Sequence, residues 1–179
     1  MFFIISGSSG VGKNTIIREV LKRNPHIKFF KTCTTRERRD YEMENSDYIH
    51  LSRSEFEEKI KNGDFFEFEE IHGNLYGTLA STVELMKDKN NIFLKDIGVD
   101  GQKSFIEKLP KDIDVVSIFL YAPKEELINR LIGRGEKNIE KRMERYDYEN
   151  AQSKFFDYII DNKNLNDTVE QIEKIIGER

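Results

Sequence analysis

The sequence predicts an α/β fold in which a parallel sheet is covered by helices on both faces. Two observations predict it. The strand-like segments are continuously apolar rather than alternating, as in residues 2–5 and 115–121, which is typical of strands buried on both faces of a parallel sheet. Segments with helical periodicity separate these strands, which is the order expected of βαβ units.

The predicted elements follow in a regular order before residue 34. A strand at residues 2–5 precedes a helix at residues 14–23, and residues 27–32 are expected to be extended. Pro25 ends the helix, because proline lacks the N–H group that a continuing helix needs. The helix prediction depends on four aliphatic residues at helical spacing, Ile16, Ile17, Val20 and Leu21.

Residues 34–80 interrupt this alternation with short extended segments that are rich in aromatic and charged residues. The sequence Ser-Arg-Ser-Glu at residues 52–55 forms a capping box, which predicts a helix that stops at Gly63. Residues 65–71 alternate phenylalanine and glutamate, which indicates a strand, and a turn follows at residues 73–74. We therefore predict an inserted lobe at residues 34–80.

Helices and strands alternate again after residue 80. A second capping box, at residues 81–84, is expected to open the first helix of this part. The pattern predicts strands at residues 91–95, 115–121 and 158–160, and helices at residues 83–89, 124–132, 139–154 and 168–176.

The glycine-rich turn between the first strand and the first helix carries the clearest chemical signal. Its sequence at residues 7–13, Gly-Ser-Ser-Gly-Val-Gly-Lys, fits the pattern G-x-x-x-x-G-K. Glycines let successive backbone N–H groups point at phosphate oxygens, and the lysine and the positive end of the helix dipole add attraction. Such a turn could serve only as a connection, but the lysine favours phosphate binding. The residues predicted to bind ATP or a similar nucleoside triphosphate are Ser8, Ser9, Gly10, Val11, Gly12, Lys13, Asn14 and Thr15.

The composition limits the classes of partner. The 179 residues suffice for one domain with a buried core, and 29 basic against 33 acidic residues leave a net charge of −4. This balance argues against nucleic acid or an anionic membrane as a partner. No apolar run approaches the ~18 residues of a membrane-spanning helix, and no leader peptide is recognisable, so we expect a cytoplasmic location. The single cysteine, Cys33, fits a reducing compartment, and we interpret it as a small residue near a strand end rather than as a reactive thiol.

A second group of motifs extends from residue 34 to residue 135. Three arginines in four residues, at positions 36–39, would alone indicate a solvated surface. The chain reads T-T-R-E-R-R-D-Y-E at residues 34–42, D-Y at 47–48, G-N-L-Y-G-T at 73–78, D-I-G-V-D-G at 96–101 and R-L-I-G-R-G at 130–135. Together with the phosphate loop and Glu67, these segments resemble the guanylate kinase family over nearly the whole chain.

The resemblance implies a P-loop NTPase fold with one inserted lobe and a lid. The implied division is a core at residues 1–33, 81–125 and 146–179, a GMP-binding lobe at residues 34–80 and a lid at residues 126–145. The implied reaction is transfer of a phosphoryl group from ATP to GMP, which gives ADP and GDP.

The resemblance also implies which residues bind the acceptor. Guanidinium forks and tyrosine hydroxyls suit a phosphate dianion. The carboxylate of Glu67 can accept both the N1–H and the 2-amino donors of guanine, although without the family pattern Glu67 would be interpreted as an outward-facing strand residue. The implied GMP-binding residues are Thr32, Arg36, Arg39, Glu42, Tyr48, Glu67, Tyr76, Thr78 and Asp96.

The implied catalytic residues are Lys13 and three lid arginines, Arg130, Arg134 and Arg142. Phosphoryl transfer needs alignment and stabilisation of negative charge rather than a covalent partner, and closure of a lid excludes water. Mg²⁺ is the implied cofactor with ATP. Its candidate ligands are Asn14 and Asp96, directly or through water.

The chain departs from the family pattern on the metal side of the site. Asn14 replaces the usual Ser or Thr of the phosphate loop, Gly98 stands where a second acid is usual, and Asp100 stands where glutamine is usual. The amide oxygen of Asn14 is still an acceptable ligand for Mg²⁺. The stretch between Arg134 and Arg142 is also shorter than the family pattern by about three residues.

Two other functions stay open at this point. One is a related kinase that acts on another phosphorylated small molecule, such as ribose 1,5-bisphosphate. The other is a guanylate-kinase-like module that binds proteins. Glu67, Tyr76 and Thr78 favour a guanine acceptor over the first alternative, and Lys13 in an intact loop favours an enzyme over the second. Deoxy-GMP is left open as an additional acceptor.

Overall fold

The computed structural model describes residues 1–38, 48–71, 73–133, 135–136 and 138–178. The strands in this part of the chain are β1 (Phe2–Gly7), β2 (Ile27–Phe29), β3 (Thr32–Thr34), β4 (Tyr48–His50), β5 (Phe65–Ile71), β6 (Asn74–Leu79), β7 (Ile92–Asp96), β8 (Val115–Tyr121) and β9 (Tyr158–Asp161). The helices are α1 (Lys13–Arg23), α2 (Arg53–Asn62), α3 (Ala80–Met86), α4 (Val99–Lys108), α5 (Lys124–Gly133), α6 (Ile139–Met143), α7 (Tyr146–Ala151) and α8 (Leu165–Gly177). No helix among the described residues has both the length and the apolar character needed to cross a membrane.

Five parallel strands form the main sheet, in the order β2-β7-β1-β8-β9. The side chains of the central strand β1 alternate between its two faces. Phe2 and Ile4 pack in one hydrophobic cluster with residues of α3 and α4, and Phe3 and Ile5 pack in another with residues of α1 and α8. Both faces of the sheet are therefore covered by helices, which confirms the predicted α/β fold.

A second, mixed sheet has the strand order β4-β3-β6-β5 and comes largely from the segment predicted as an inserted lobe, residues 34–80, although β3 begins at Thr32. Its small core contains the buried residues Cys33, Phe56 and Leu75. The ring of Phe56 stacks on that of Phe65 with their centroids 4.3 Å apart. Burial raises the pKa of the Cys33 thiol to about 11, so the thiol is protonated at neutral pH, which supports a packing role for it.

The segment predicted as one extended run, residues 27–32, is divided between the two sheets. β2 pairs with β7 in the main sheet, whereas β3 pairs with β4 and β6 in the second sheet. Phe30 lies between them, fully buried, and its N–H donates to the carbonyl of Leu94 at 2.9 Å. The chain thus leaves one sheet for the other at a residue that is anchored in the core.

The prediction of a single helix at residues 139–154 is wrong. The chain forms α6, then α7, then a short 3₁₀ helix at Ser153–Phe155. Met143 and Tyr146 on either side of the first break are both buried in the same core cluster, and the Tyr146 hydroxyl donates to the carbonyl of Ala122 at 3.0 Å. A turn at residues 144–145 separates α6 from α7, and the contact of Tyr146 with Ala122 anchors the start of α7, which the periodicity of the sequence does not show.

The capping box predicted at residues 81–84 is also absent. α3 begins at Ala80 directly after β6, with Leu79 at its N-cap and no side-chain cap from the described residues. Ser81 is therefore already inside the first turn. In addition, β4, β6 and α4 were not predicted, since they are short or carry few apolar residues.

The capping box at Ser52 is present as predicted and generates a stability test. The Ser52 hydroxyl accepts from the Glu55 N–H at 3.2 Å, and the Ser52 N–H donates to the Glu55 carboxylate at 2.7 Å. We expect Ser52→Ala to lower the free energy of unfolding by about 1 kcal/mol, because one backbone donor of α2 loses its partner. Urea unfolding followed by circular dichroism measures this change.

Ser81→Ala is the matched control, since the sequence around Ser81 has the same capping-box pattern but the structure forms no such cap. We expect its free energy of unfolding to stay near that of the unmodified chain. An equal loss of stability in both variants would contradict this account.

Candidate active site

The phosphate loop joins the end of β1 to the start of α1, at the carboxyl edge of the main sheet. Gly7 has φ 142°, and a Cβ atom there would lie 2.4 Å from the carbonyl oxygen of Leu120. Gly12, the N-cap of α1, has φ 101° in the left-handed region. These positions require glycine, and they turn the chain so that α1 begins at the floor of a cavity without a capping side chain from the described residues.

Lys13 is partly buried at the first position of α1. Its Nζ atom donates to the carbonyl of Gly7 at 2.6 Å and is 3.3 Å from that of Ser8. Burial lowers the pKa of Lys13, and the negative charges of Asp96 and Glu149 oppose this shift. The ammonium group is therefore held against the loop backbone, where a phosphate would be wrapped.

The cavity above the loop has a volume of about 570 Å³. It contains most of the residues predicted to bind the triphosphate, together with Arg18, Leu131 and Glu136. The full lining is Ser9, Gly10, Gly12, Lys13, Asn14, Thr15, Arg18, Leu131, Glu136 and Arg142. We call it the donor cavity.

Of the three arginines predicted for the lid, Arg142 lies on the wall of the donor cavity. Its Nη1 atom donates to Ser9 Oγ at 3.0 Å, and its Nε atom is 2.7 Å from the Glu136 carboxylate. Arg130 is placed differently: it donates to the backbone carbonyls of Val11 at 3.0 Å and Asn162 at 2.7 Å. It therefore holds the loop from behind. The third, Arg134, lies outside the described residues.

A second cavity of about 550 Å³ opens between the two sheets. Six of the residues predicted to bind the acceptor line it: Thr32, Tyr48, Glu67, Tyr76, Thr78 and Asp96. Arg36 is close by, with its guanidinium carbon 5.3 Å from the centre of the Tyr48 ring and its Nη1 atom donating to the carbonyl of Glu37. Arg39 and Glu42 lie outside the described residues. We call this the acceptor cavity.

Glu67 projects from β5 beside Thr78 of β6, with which it is paired in the sheet. Its side chain is only 17% exposed, and the nearest cation among the described residues is the Nζ atom of Lys108 at 3.7 Å. The rings of Tyr48 and Tyr76 stand edge to face, 6.2 Å apart. A carboxylate, hydroxyls and aromatic edges thus surround one volume.

Lys95 is a buried cation in the acceptor cavity that the sequence analysis did not single out. Its Nζ atom hydrogen-bonds to Thr32 Oγ1 and lies 4.9 Å from the centre of the Phe30 ring. Burial lowers its pKa to about 8, while the negative charges of Asp96 and Glu67 oppose the shift. The available signal was a lysine directly after three apolar residues of a strand, β7.

Asp96 connects the two cavities. It lies at the carboxyl end of β7 and lines the acceptor cavity, and its charge also acts on Lys13 in the donor cavity. Asp100, at the start of α4, is held by Arg145 and by the Tyr148 hydroxyl at 2.8 Å. This cluster links α4 to the last residue of the predicted lid and to α7, which follows it.

A phosphate loop and an adjoining cavity lined by hydrogen-bonding groups, both at the carboxyl edge of a parallel sheet, define a P-loop nucleotide kinase. Comparison with known proteins agrees with this class. The sequence pattern described as Guanylate kinase matches residues 2–179, and the chain belongs to the guanylate kinase family.

Individual relatives cover nearly the whole chain. A guanylate kinase from Prochlorococcus marinus subsp. pastoris is 40% identical over 177 residues, which are 97% of this chain and 95% of that protein. One from Thermotoga maritima is 37% identical over 180 residues, which are 97% and 84% of the two chains. The crystal structure of guanylate kinase from Anaplasma phagocytophilum has a TM-score of 0.76 at 29% identity, covering 99% of this chain and 85% of that one.

Proposed function

We propose that the protein transfers the γ-phosphoryl group of ATP to GMP, giving ADP and GDP. The observation that carries this proposal is the carboxylate of Glu67 on the wall of the acceptor cavity, next to Thr78. Guanine presents two adjacent donors, N1–H and the 2-amino group, which one carboxylate can accept together. Adenine presents an acceptor at N1, which would face the carboxylate at a large energetic penalty.

On the donor side, the backbone N–H groups of the loop and Lys13 would hold the ATP phosphates. Arg142 is placed to stabilise the charge that spreads over the transferring phosphoryl group. The contacts of Arg130 with the carbonyls of Val11 and Asn162 support a role for Arg130 in positioning the phosphate loop. Arg134, from the predicted lid, stays in the proposed catalytic set.

On the acceptor side, Arg36, Arg39, Tyr48 and Tyr76 would bind the GMP phosphate, with Glu42 beside them. Guanidinium forks match phosphate oxygens in pairs, and tyrosine hydroxyls add donors without further charge. Thr32 and Thr78 would assist Glu67 at the base. Asp96 would lie near the phosphates of both substrates.

Mg²⁺ fits this site as a partner of the ATP phosphates. No group of three or more acidic, histidine or cysteine side chains among the described residues is arranged to hold a metal, and Mg²⁺ typically combines one or two protein ligands with phosphates and water. Asn14 and Asp96 would be those ligands. When bound, the ion offsets negative charge on the phosphates.

A coupled assay of ADP release with GMP, dGMP, AMP, UMP and CMP tests the proposal. We expect GMP to be the preferred acceptor among the ribonucleotides. Preference for AMP or a pyrimidine nucleotide would overturn it, and dGMP shows whether the ribose 2′-hydroxyl matters. We also propose a cytoplasmic location, which the single, buried cysteine supports.

The first prediction from this proposed function concerns the choice of base. Glu67→Gln places an amide donor opposite the guanine donors. We therefore expect kcat/KM for GMP to fall, by an amount that corresponds to a loss of roughly 2–4 kcal/mol in transition-state binding. Glu70→Gln is the matched control, since Glu70 lies on the same strand but pairs with Arg53. Unchanged kcat/KM for GMP in Glu67→Gln would remove Glu67 from the site.

The second prediction concerns the acceptor phosphate. Replacing Arg36 or Arg39 with Lys keeps the charge but removes the planar fork, so we expect a large loss of kcat/KM for GMP. The affinity for ATP, measured by calorimetry, should barely change. Equal weakening of ATP and GMP binding would show that these arginines act elsewhere.

The third prediction concerns Asn14, which lines the donor cavity at the position of the usual hydroxyl residue. We expect Asn14→Ser to raise kcat or to lower the Mg²⁺ concentration needed for half-maximal activity, with the KM for GMP nearly unchanged. A tenfold gain corresponds to about 1.4 kcal/mol, which one better metal ligand can supply. Loss of activity in Asn14→Ser would show instead that Asn14 is an adapted ligand.

A further inference from the structure

We propose that Lys95, acting through the hydroxyl of Thr32, selects the 6-oxo group of the acceptor base. This inference rests on the function proposed above and adds a specificity-determining pair to it. Lys95 is then a positioning residue, and Thr32 is the group that touches the base.

The first observation is where the ammonium group of Lys95 lies. The residue is 8% exposed, and its Nζ atom is hydrogen-bonded to Thr32 Oγ1 and lies 3.5 Å from the Phe30 carbonyl oxygen. The rings of Phe30 and Phe105 lie beneath it, with centroids at 4.9 Å and 5.9 Å. Lys95, Thr32 and Phe105 all line the acceptor cavity.

The second observation is that Lys95 has no carboxylate within ion-pairing distance among the described residues. A buried charge without such a partner is costly, and an apolar residue of similar length at this position would avoid that cost. Lys28 provides the contrast: its Nζ atom lies over the Phe93 ring and bonds Asn91, but at an exposed position outside both cavities. The buried ammonium group of Lys95 lowers the stability of the fold, and it lies in the cavity proposed to bind the acceptor. We infer that Lys95 contributes to binding of the acceptor.

The chemistry of the base completes the argument. The edge of guanine presents the 2-amino donor, the N1–H donor and the 6-oxo acceptor in sequence. Glu67 accepts from the first two, so the 6-oxo oxygen needs a donor. A hydroxyl has one proton to donate and also accepts. Since Thr32 Oγ1 accepts from the Lys95 ammonium, its own proton is directed elsewhere, and the cavity is the side on which a base would lie.

The same arrangement disfavours adenine at a second position. Adenine carries an amino donor where guanine carries the oxygen, so a donor would face the Thr32 hydroxyl beside a positive charge. A site built around a hydrogen bond strongly disfavours an analogue that leaves its buried polar groups unpaired. Glu67 would thus bind the 2-amino and N1–H groups of guanine, and the Lys95–Thr32 pair would bind the neighbouring 6-oxo group.

The test uses Lys95→Met with three acceptors that differ by single groups. GMP and IMP both carry the 6-oxo oxygen, whereas 6-thio-GMP keeps the N1–H and 2-amino donors of GMP but offers a weakly accepting sulfur. We expect kcat/KM for GMP and for IMP to fall by about tenfold to a hundredfold, as for loss of a charge-assisted hydrogen bond. The fall in kcat/KM for 6-thio-GMP should be much smaller. The ratio of kcat/KM for GMP to that for 6-thio-GMP should therefore decrease strongly in Lys95→Met.

Thr32→Val, which removes the hydroxyl and keeps the shape of the side chain, should show the same selective loss. The double variant should lose little more than either single one, because both changes break one hydrogen-bonded chain. Lys28→Met is the matched control and should leave all three acceptors unchanged. Lys95→Met should also keep or raise Tm, since it removes an unpaired buried charge.

Several outcomes would overturn the inference alone. They are equal losses for all three acceptors, unchanged kcat/KM for GMP in both variants, or a lower Tm in Lys95→Met accompanied by normal GMP selectivity in Thr32→Val. Failure of the unmodified protein to phosphorylate GMP would overturn the proposed function, and the inference with it. The two failures are therefore distinguishable.

Discussion

The register of the central strands is the constraint on which the rest of the site depends. β1 is buried on both faces and hydrogen-bonded on both edges, so its end at Gly7 is fixed, and the phosphate loop begins from a rigid point. The parallel pairing with β7 sets Ile4 opposite Lys95 and Ile5 opposite Asp96. A shift of one residue would turn these two side chains to the opposite faces of the sheet. The packing of β1 therefore positions the groups of both cavities.

The charges at this edge depend on one another. Lys95 is buried and Lys13 is partly buried, burial lowers the pKa of each, and the charge of Asp96 opposes the shift in both. A protein with a net charge of −4 thus concentrates positive charge where two phosphorylated substrates would meet. Such groups act more strongly away from water than at the surface. The charge of Asp96 favours the charged forms of both ammonium groups, whereas burial favours their neutral forms.

The sequence predicted the parts of the molecule whose signals are local. The loop at Gly7–Lys13 follows from a short motif, and the parallel sheet follows from continuous apolar strands. The break between Met143 and Tyr146 could not be predicted, because the periodicity does not show the contact of Tyr146 with Ala122, which is 24 residues away along the chain. Ser52 and Ser81 begin the same pattern, and only the structure shows that β6 continues directly into α3. The sequence does not indicate the position of Lys95, because its contacts with Thr32 and Phe105 depend on how the chain folds.

The two described arginines of the predicted lid, Arg130 and Arg142, both contact the phosphate loop. Arg130 reaches the loop from α5 and binds the Val11 carbonyl, while Arg142 reaches it from α6 and binds Ser9. Arg142 is also paired with Glu136, so a phosphate entering the donor cavity would exchange one anionic partner for another. The Arg142 guanidinium is therefore already partly desolvated by its pairing with Glu136, which lowers the desolvation cost of binding a phosphate. Arg130 has its donors engaged with backbone carbonyls and Glu126, which suits a group that keeps the loop in shape while Arg142 changes partners.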